Sequence, residues 1–277
     1  MCELHQTEGG EAKVVALDGM HRRDVVRALW SGTMLLGVSG AAGCAGAAEF
    51  FAPSDADLVP LAAQAWEQTK RETPISRDTR ANARLQSVGG RIAAVANLPN
   101  AQWEFVVFAS EEKNAFVLPG GKVGFYKGLI DFSENDDQIA AVLGHEAGHV
   151  AARHAALRAG QESATQLGLG LGGALLGGAA GGMSPDQQKA IMGIAGAGAT
   201  VGILLPFSRN NELEADKLGV DYMQAARYDV KQSIRLWERM GAAATERPTE
   251  WMSTHPNPET RIQELRAYIN SKGYAQI

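Results

Sequence analysis

The sequence predicts an α+β domain that is mostly helix, and three observations carry that expectation. Apolar residues recur at helical spacing in two stretches between residues 58 and 96, again from 136 to 150, and in the last fifty residues. Between the first pair and the third the period changes, because Trp103–Phe108 and Val123–Tyr126 are β-branched and aromatic and lie on either side of Pro119-Gly120-Gly121. A glycine- and alanine-rich apolar segment, about residues 167–207, then interrupts the helical half.

Composition limits the function classes. With 277 residues, 45% hydrophobic and 21% charged, the chain can bury a core, read as one domain over 53–277 behind a separate segment, 1–52. A net charge of −5 with scattered basic residues leaves no footprint for nucleic acid. Cys2 and Cys44 are the two cysteines, both ahead of the domain, so neither a disulfide framework nor a cysteine metal site is available to it.

The N-terminal segment reads as an address. From Met20 a basic stretch (Arg22, Arg23, Arg27) leads into an apolar run, Ala28–Gly43, and then Cys44. This resembles a bacterial lipoprotein signal over residues 20–43, with Cys44 lipidated as the mature N-terminus and a membrane partner through that anchor. The Arg22-Arg23 pair also permits twin-arginine export. Residues 1–19 fit neither pattern and read as lying upstream of the true start. Ala45 and Gly46 follow Cys44 instead of Asp, which permits sorting to the outer membrane.

After the polar linker Pro53–Asp57, a helix is expected from about Leu58 to Arg71 and a second from Thr79 to Ala96. The second has Leu85, Val88, Ile92 and Val95 on one face and a stop at Asn97-Leu98-Pro99. The short strands that follow predict a small antiparallel-type sheet. The strand after the turn, Lys122, Val123, Gly124 and Phe125, is expected at its edge, where it can bind an extended chain by strand addition. An ordinary hairpin strand is the alternative.

The next helix carries the chemistry. Asn135 caps it, Asp136 and Asp137 suit the positive end of its dipole, and Ile139, Val142, Leu143 and Val150 form its core stripe. Within it lies Gly144-His145-Glu146-Ala147-Gly148-His149. Residues four apart share a helix face, so His145 and His149 present two imidazoles to one zinc ion while Glu146 can act as general base. Gly144 and Gly148 each cost a helix about 1 kcal/mol relative to alanine, which predicts close approach of a neighbouring element. His154 falls off the ligand face and reads as a surface residue or one behind a ligand.

The Gly-rich segment holds two apolar stretches around Ser184–Lys189, each about 17 or 18 residues, the lower edge of membrane-spanning length. A bilayer hairpin, a soluble hairpin near the site and a membrane-touching loop all fit. Glycine density favours a water-exposed or peripheral helical hairpin over a spanning pair. The helix after it, Ser208–Asp216, places Glu212 and Asp216 on one face. A zinc held by two histidines needs a third protein ligand, taken as Glu212, and Asp216 is then the carboxylate that orients a ligating imidazole. An acidic surface face is the plain alternative.

Together these pieces resemble the peptidase family that includes the CAAX prenyl proteases and the HtpX heat-shock protease, within the gluzincins. The resemblance rests on Asn114–Gly121, His145–His149, the Ser-Arg-x-x-Glu-x-x-Ala-Asp pattern ending at Asp216, and Ser253-Thr254-His255-Pro256 followed by Arg261. It implies a zincin-like domain, one zinc ion at His145, His149 and Glu212, Glu146 as base, and endopeptidase activity on proteins. Without clear long membrane spans, the chain is placed with the family's periplasmic branch, which is associated with outer-membrane protein quality control. Unfolded or misassembled envelope proteins are then the expected substrates, with the outer-membrane assembly machinery as a further partner. A membrane-embedded protease, or an assembly factor that holds barrel proteins with little turnover, is the competing reading.

Two further helices are expected, about Lys231–Gly241 and Pro258–Ser271, the last capped by Asn257. The loop between them carries His255, expected to fold over the metal. There it either fills the fourth position as a plug, the favoured reading, or donates to the developing oxyanion. Arg261 is expected to assist catalysis by pairing with a substrate carbonyl or a site carboxylate.

Overall fold

A computed structural model describes residues 48–163, 207–246, 255 and 258–274. The signal at 20–43, Cys44, almost all of the Gly-rich segment, residues 247–254 and Asn257 lie outside the described residues.

Helix α1 (Asp55–Glu72) opens on a capping box: the Ser54 hydroxyl accepts from the Asp57 amide, and the Asp57 carboxylate accepts from the Ser54 amide. The expected linker is therefore the first turn of the helix. Helix α2 (Thr79–Ala96) is capped by Asp78 and ends where Asn97 turns left-handed at φ 46°. Strands β1 (Glu104–Phe108), β2 (Ala115–Leu118) and β3 (Lys122–Tyr126) follow, then a short α3 (Lys127–Phe132).

The sheet order is β1-β3-β2, with β3 parallel to β1 and antiparallel to β2. This corrects two expectations. The sheet is mixed, and Lys122–Phe125 form its central strand, hydrogen-bonded on both sides, so no added strand can pair there. The edge on the side of the histidine helix is β2.

That helix, α4 (Asp136–Ala151), is the axis of the domain, and every residue from Gln138 to His149 is buried. Leu85, Val88 and Ile92 of α2 and Val107 and Phe125 of the sheet form one core with its Ile139 and Val142. Residues 154–163 form a further helical stretch. Helices α5 (Arg209–Ala225), α6 (Lys231–Glu246) and α7 (Pro258–Lys272) complete the domain, adding Val220, Met223, Leu236, Met240, Leu265 and Ile269 to the core. Each such side chain contributes about 1.5–3 kcal/mol on burial. Helix α6 runs to Glu246, so residues 242–246, expected as loop, are helical. Among the described residues no helix is long and apolar enough to cross a membrane.

The glycines of α4 meet α5. A Cβ on Gly144 would stand 2.8 Å from the Gly219 carbonyl oxygen, and one on Gly148 would stand 2.7 Å from that of Ala215. Two helix backbones therefore touch along this seam, as the placement of the glycines predicts. The seam sets the turn bearing Glu212 and Asp216 directly against the turn bearing His145 and His149.

Candidate metal centre

One ligand atom from each of His145, His149, Glu212 and His255 lies within 4.8 Å of the others, and all four residues are buried. The two Nε2 atoms of His145 and His149 are 3.0 Å apart, and the Glu212 carboxylate oxygens lie 3.5 Å and 3.6 Å from them. A tetrahedral ion with bonds of about 2.0–2.1 Å has ligand–ligand edges of about 3.3 Å, so the spacing and chemistry of these donors fit a metal ion.

The imidazoles are prepared to ligate. His145 Nδ1 lies 2.9 Å from Asp216 Oδ1, so the ring donates there and its Nε2 lone pair faces the cluster. Burial, with the Arg261 charge beside it, holds His145 down at about 4. Burial and the neighbouring imidazoles hold His149 well below its ordinary value as well. Both rings are therefore neutral at pH 7, the form that binds a cation.

The carboxylates divide. Burial works to raise Glu212, but His255, His145 and Arg261 outweigh it and hold it below the usual range. Asp216, where burial also works upward, is held well below that range by Arg261 and His145. Burial pushes Glu146 up to about 7, against the pull of His255. Its Oε1 is buried with no hydrogen-bond partner among the described residues, and His255 Nε2 lies 3.7 Å away. A carboxylate near neutrality with an uncommitted oxygen is suited to take up and release a proton.

Arg261 lies behind these groups. Its Nε and Nη2 donate to the two Asp216 oxygens at 2.7 Å each, Nη1 lies 3.0 Å from Glu212, and the guanidinium stacks on Trp237 at 3.7 Å. Burial works to lower it, but Asp216 and Glu212 raise it above its ordinary value. Of the two roles expected, pairing with a site carboxylate is the one its position shows, and it is not among the residues that line the cavity below. His255 Nδ1 stands 3.0 Å from Glu212 Oε1 and 3.2 Å from His145 Nε2, on the donor cluster itself.

A cavity of about 200 Å³ opens onto Glu146, His149 and His255 between Asn114–Val117 of the β2 region, Leu58 and Val59 of α1, and Val150 at the end of α4. None of Lys122–Phe125 lines it. Sequence reasoning assigned no role to Phe207, whose ring stacks on His149 with centroids 4.2 Å apart, and left His154 between two readings. His154 is buried, with Nδ1 2.8 Å from His149 Nδ1. An aromatic residue closing a glycine-rich run was the available signal for Phe207.

The sequence pattern of peptidase family M48 matches residues 79–269. Mitochondrial metalloendopeptidase OMA1 of Schizosaccharomyces pombe is 35% identical over 181 residues, covering 65% of this chain and 50% of that protein. Beta-barrel assembly-enhancing protease of Escherichia coli is 31% identical over 205 residues, covering 73% and 42%. Metalloendopeptidase OMA1 of Danio rerio is 34% identical over 191 residues, covering 67% and 39%. The chain thus spans half the length, or less, of these relatives.

Proposed function

The chain belongs to peptidase family M48, and from that premise we propose that it is a zinc-dependent endopeptidase. His145, His149 and Glu212 would hold one zinc ion, and Glu146 is the general base. The observation that carries this is the convergence of buried donors within 4.8 Å beside a buried carboxylate oxygen that has no hydrogen-bond partner among the described residues. Bound there, zinc supplies a Lewis acid for the scissile carbonyl and acidifies water. Glu146 accepts the proton of the attacking water at its uncommitted oxygen and returns it to the leaving amine nitrogen. Asp216, fixed by the Arg261 fork, keeps His145 in the tautomer that presents Nε2.

An extended substrate segment lies along β2, in place of the central strand, with one apolar side chain in the adjoining cavity. Unfolded or misassembled envelope proteins are the proposed substrates, since they expose such segments; the name of the Escherichia coli relative supports β-barrel proteins among them. Anchoring to the outer membrane through Cys44, beside the machinery that assembles those barrels, belongs to the same reading. His255 is the resting plug, a reading supported by its position on the donor cluster.

The test is metal content measured together with casein cleavage. The purified chain is expected to carry one zinc and to cut casein, and Glu146→Gln is expected to keep the metal and lose cleavage. Near-full cleavage by Glu146→Gln would remove the base from the mechanism. A metal-free, inactive wild-type protein would remove the peptidase reading.

A further inference from the structure

We propose that His154, backed by Glu214, is the positioning residue that fixes His149 in its metal-binding tautomer. This rests on the metal reading above. The two ligand histidines are supported differently: His145 donates to the carboxylate of Asp216, whereas His149 has a second imidazole behind it, with Nδ1 facing Nδ1 at 2.8 Å. On its far side, His154 Nε2 lies 3.2 Å from Glu214 Oε2.

One proton fits between two Nδ1 atoms, and Glu214 decides which ring carries it. A carboxylate only accepts, so His154 must hold its own proton on Nε2 and donate it to Glu214. His154 Nδ1 is then an acceptor, and His149 must donate from Nδ1, which leaves its Nε2 lone pair for the metal. For a neutral His154 ring, the reverse assignment would aim a lone pair at the Glu214 carboxylate. It would also put the His149 proton on Nε2, where it could not ligate.

The chain is bent to achieve this contact. Helix α4 ends at Ala151, and Arg153 takes a left-handed φ of 54°, a conformation costing a residue with a Cβ about 1–2 kcal/mol. Asp55 accepts from Arg153 Nε at 3.0 Å, and the Pro53 carbonyl accepts from its Nη2 at 3.0 Å, holding the turn. The next helical stretch therefore begins with His154 folded back on His149. Phe207 stacks on the face of the His149 ring, so His149 is held both in plane and from above.

The experiment measures zinc affinity and zinc release to a chromophoric chelator for the full chain and three variants, with the melting temperature of each metal-free protein. His154→Phe is expected to weaken affinity about 10–100-fold and to speed release. His154→Asn, whose carbonyl oxygen stands near the place of Nδ1, is expected to restore most of it. Glu214→Ala is expected to fall between them with an unchanged metal-free melting temperature, since its side chain is 60% exposed. Nitrogen-15 NMR of the zinc-loaded wild type is expected to find the His154 proton on Nε2. Wild-type affinity in His154→Phe, a loss that asparagine does not restore, or a proton on His154 Nδ1 would overturn the inference. If His154→Phe fails to fold, unchanged affinity in Glu214→Ala overturns it. Absence of zinc from the wild-type protein would overturn the metal reading itself, a separate result.

Discussion

Glu212 and Asp216 sit one turn apart on α5, yet they face different work. Glu212 points its oxygens into the donor cluster, while Asp216 spends both of its own on His145 and Arg261. Glu212→Ala is therefore expected to abolish zinc retention, and Asp216→Ala to weaken it about 10–100-fold while leaving some metal bound. Zinc titration distinguishes them, and the opposite order would exchange their roles. Arg261→Leu would leave Asp216 buried without its counter-charge and is expected to destabilise the metal-free protein by about 3–5 kcal/mol in denaturant melts. His255→Ala is expected to raise casein cleavage if the imidazole is a plug. A fall in kcat of about 10²–10³ would instead make it a donor to the oxyanion. The convergence of His145, His149, Glu212 and Asp216 was legible in the sequence because each pair is four apart on one helix. The place of His154 stayed open between two readings, because projecting it five residues along the helix assumes that the helix continues, and a left-handed Arg153 leaves no mark in the sequence.

At the scale of elements, the α4–α5 seam makes a sharp test. Gly148→Ala places a methyl 2.7 Å from a backbone oxygen, so the helices must part; a loss of about 1–3 kcal/mol and weaker zinc binding are expected from calorimetry and titration. Gly90→Ala on α2, where a Cβ meets nothing within 4 Å, is the control and is expected to stabilise by about 0.4–1 kcal/mol. The helices were legible because periodicity and caps are local signals. Strand order was not, since pairing is non-local and Lys122–Tyr126 would show the same alternation at an edge or at the centre. Gly124 was the residue that could have told: a Cβ there would stand 2.3 Å from the Phe116 ring and 2.9 Å from that of Phe108, and a glycine inside a strand marks such crowding.

For the whole molecule, the proposed zinc joins α4 to α5 and should hold the domain as well as the substrate. A ligand at a thousand times its dissociation constant adds about 4 kcal/mol to a fold, so chelation is expected to lower the melting temperature and zinc to restore it. A melting temperature indifferent to zinc would contradict this. Lipidation at Cys44 is checked by mass spectrometry of the membrane fraction, where an acylated Cys44 is expected at the N-terminus; a chain still beginning at Met1 would end that proposal. The touching backbones of α4 and α5 have one more consequence, for which changes the chain can accept. His145 and Asp216 meet across 71 residues of sequence, and the entropy of closing a loop rises only with the logarithm of its length, about 0.6 kcal/mol per doubling. By that measure, doubling the intervening chain would disturb the site less than one methyl group on Gly148. Insertions between the two halves of the site are thermodynamically cheap, while the four-residue register inside each half is fixed.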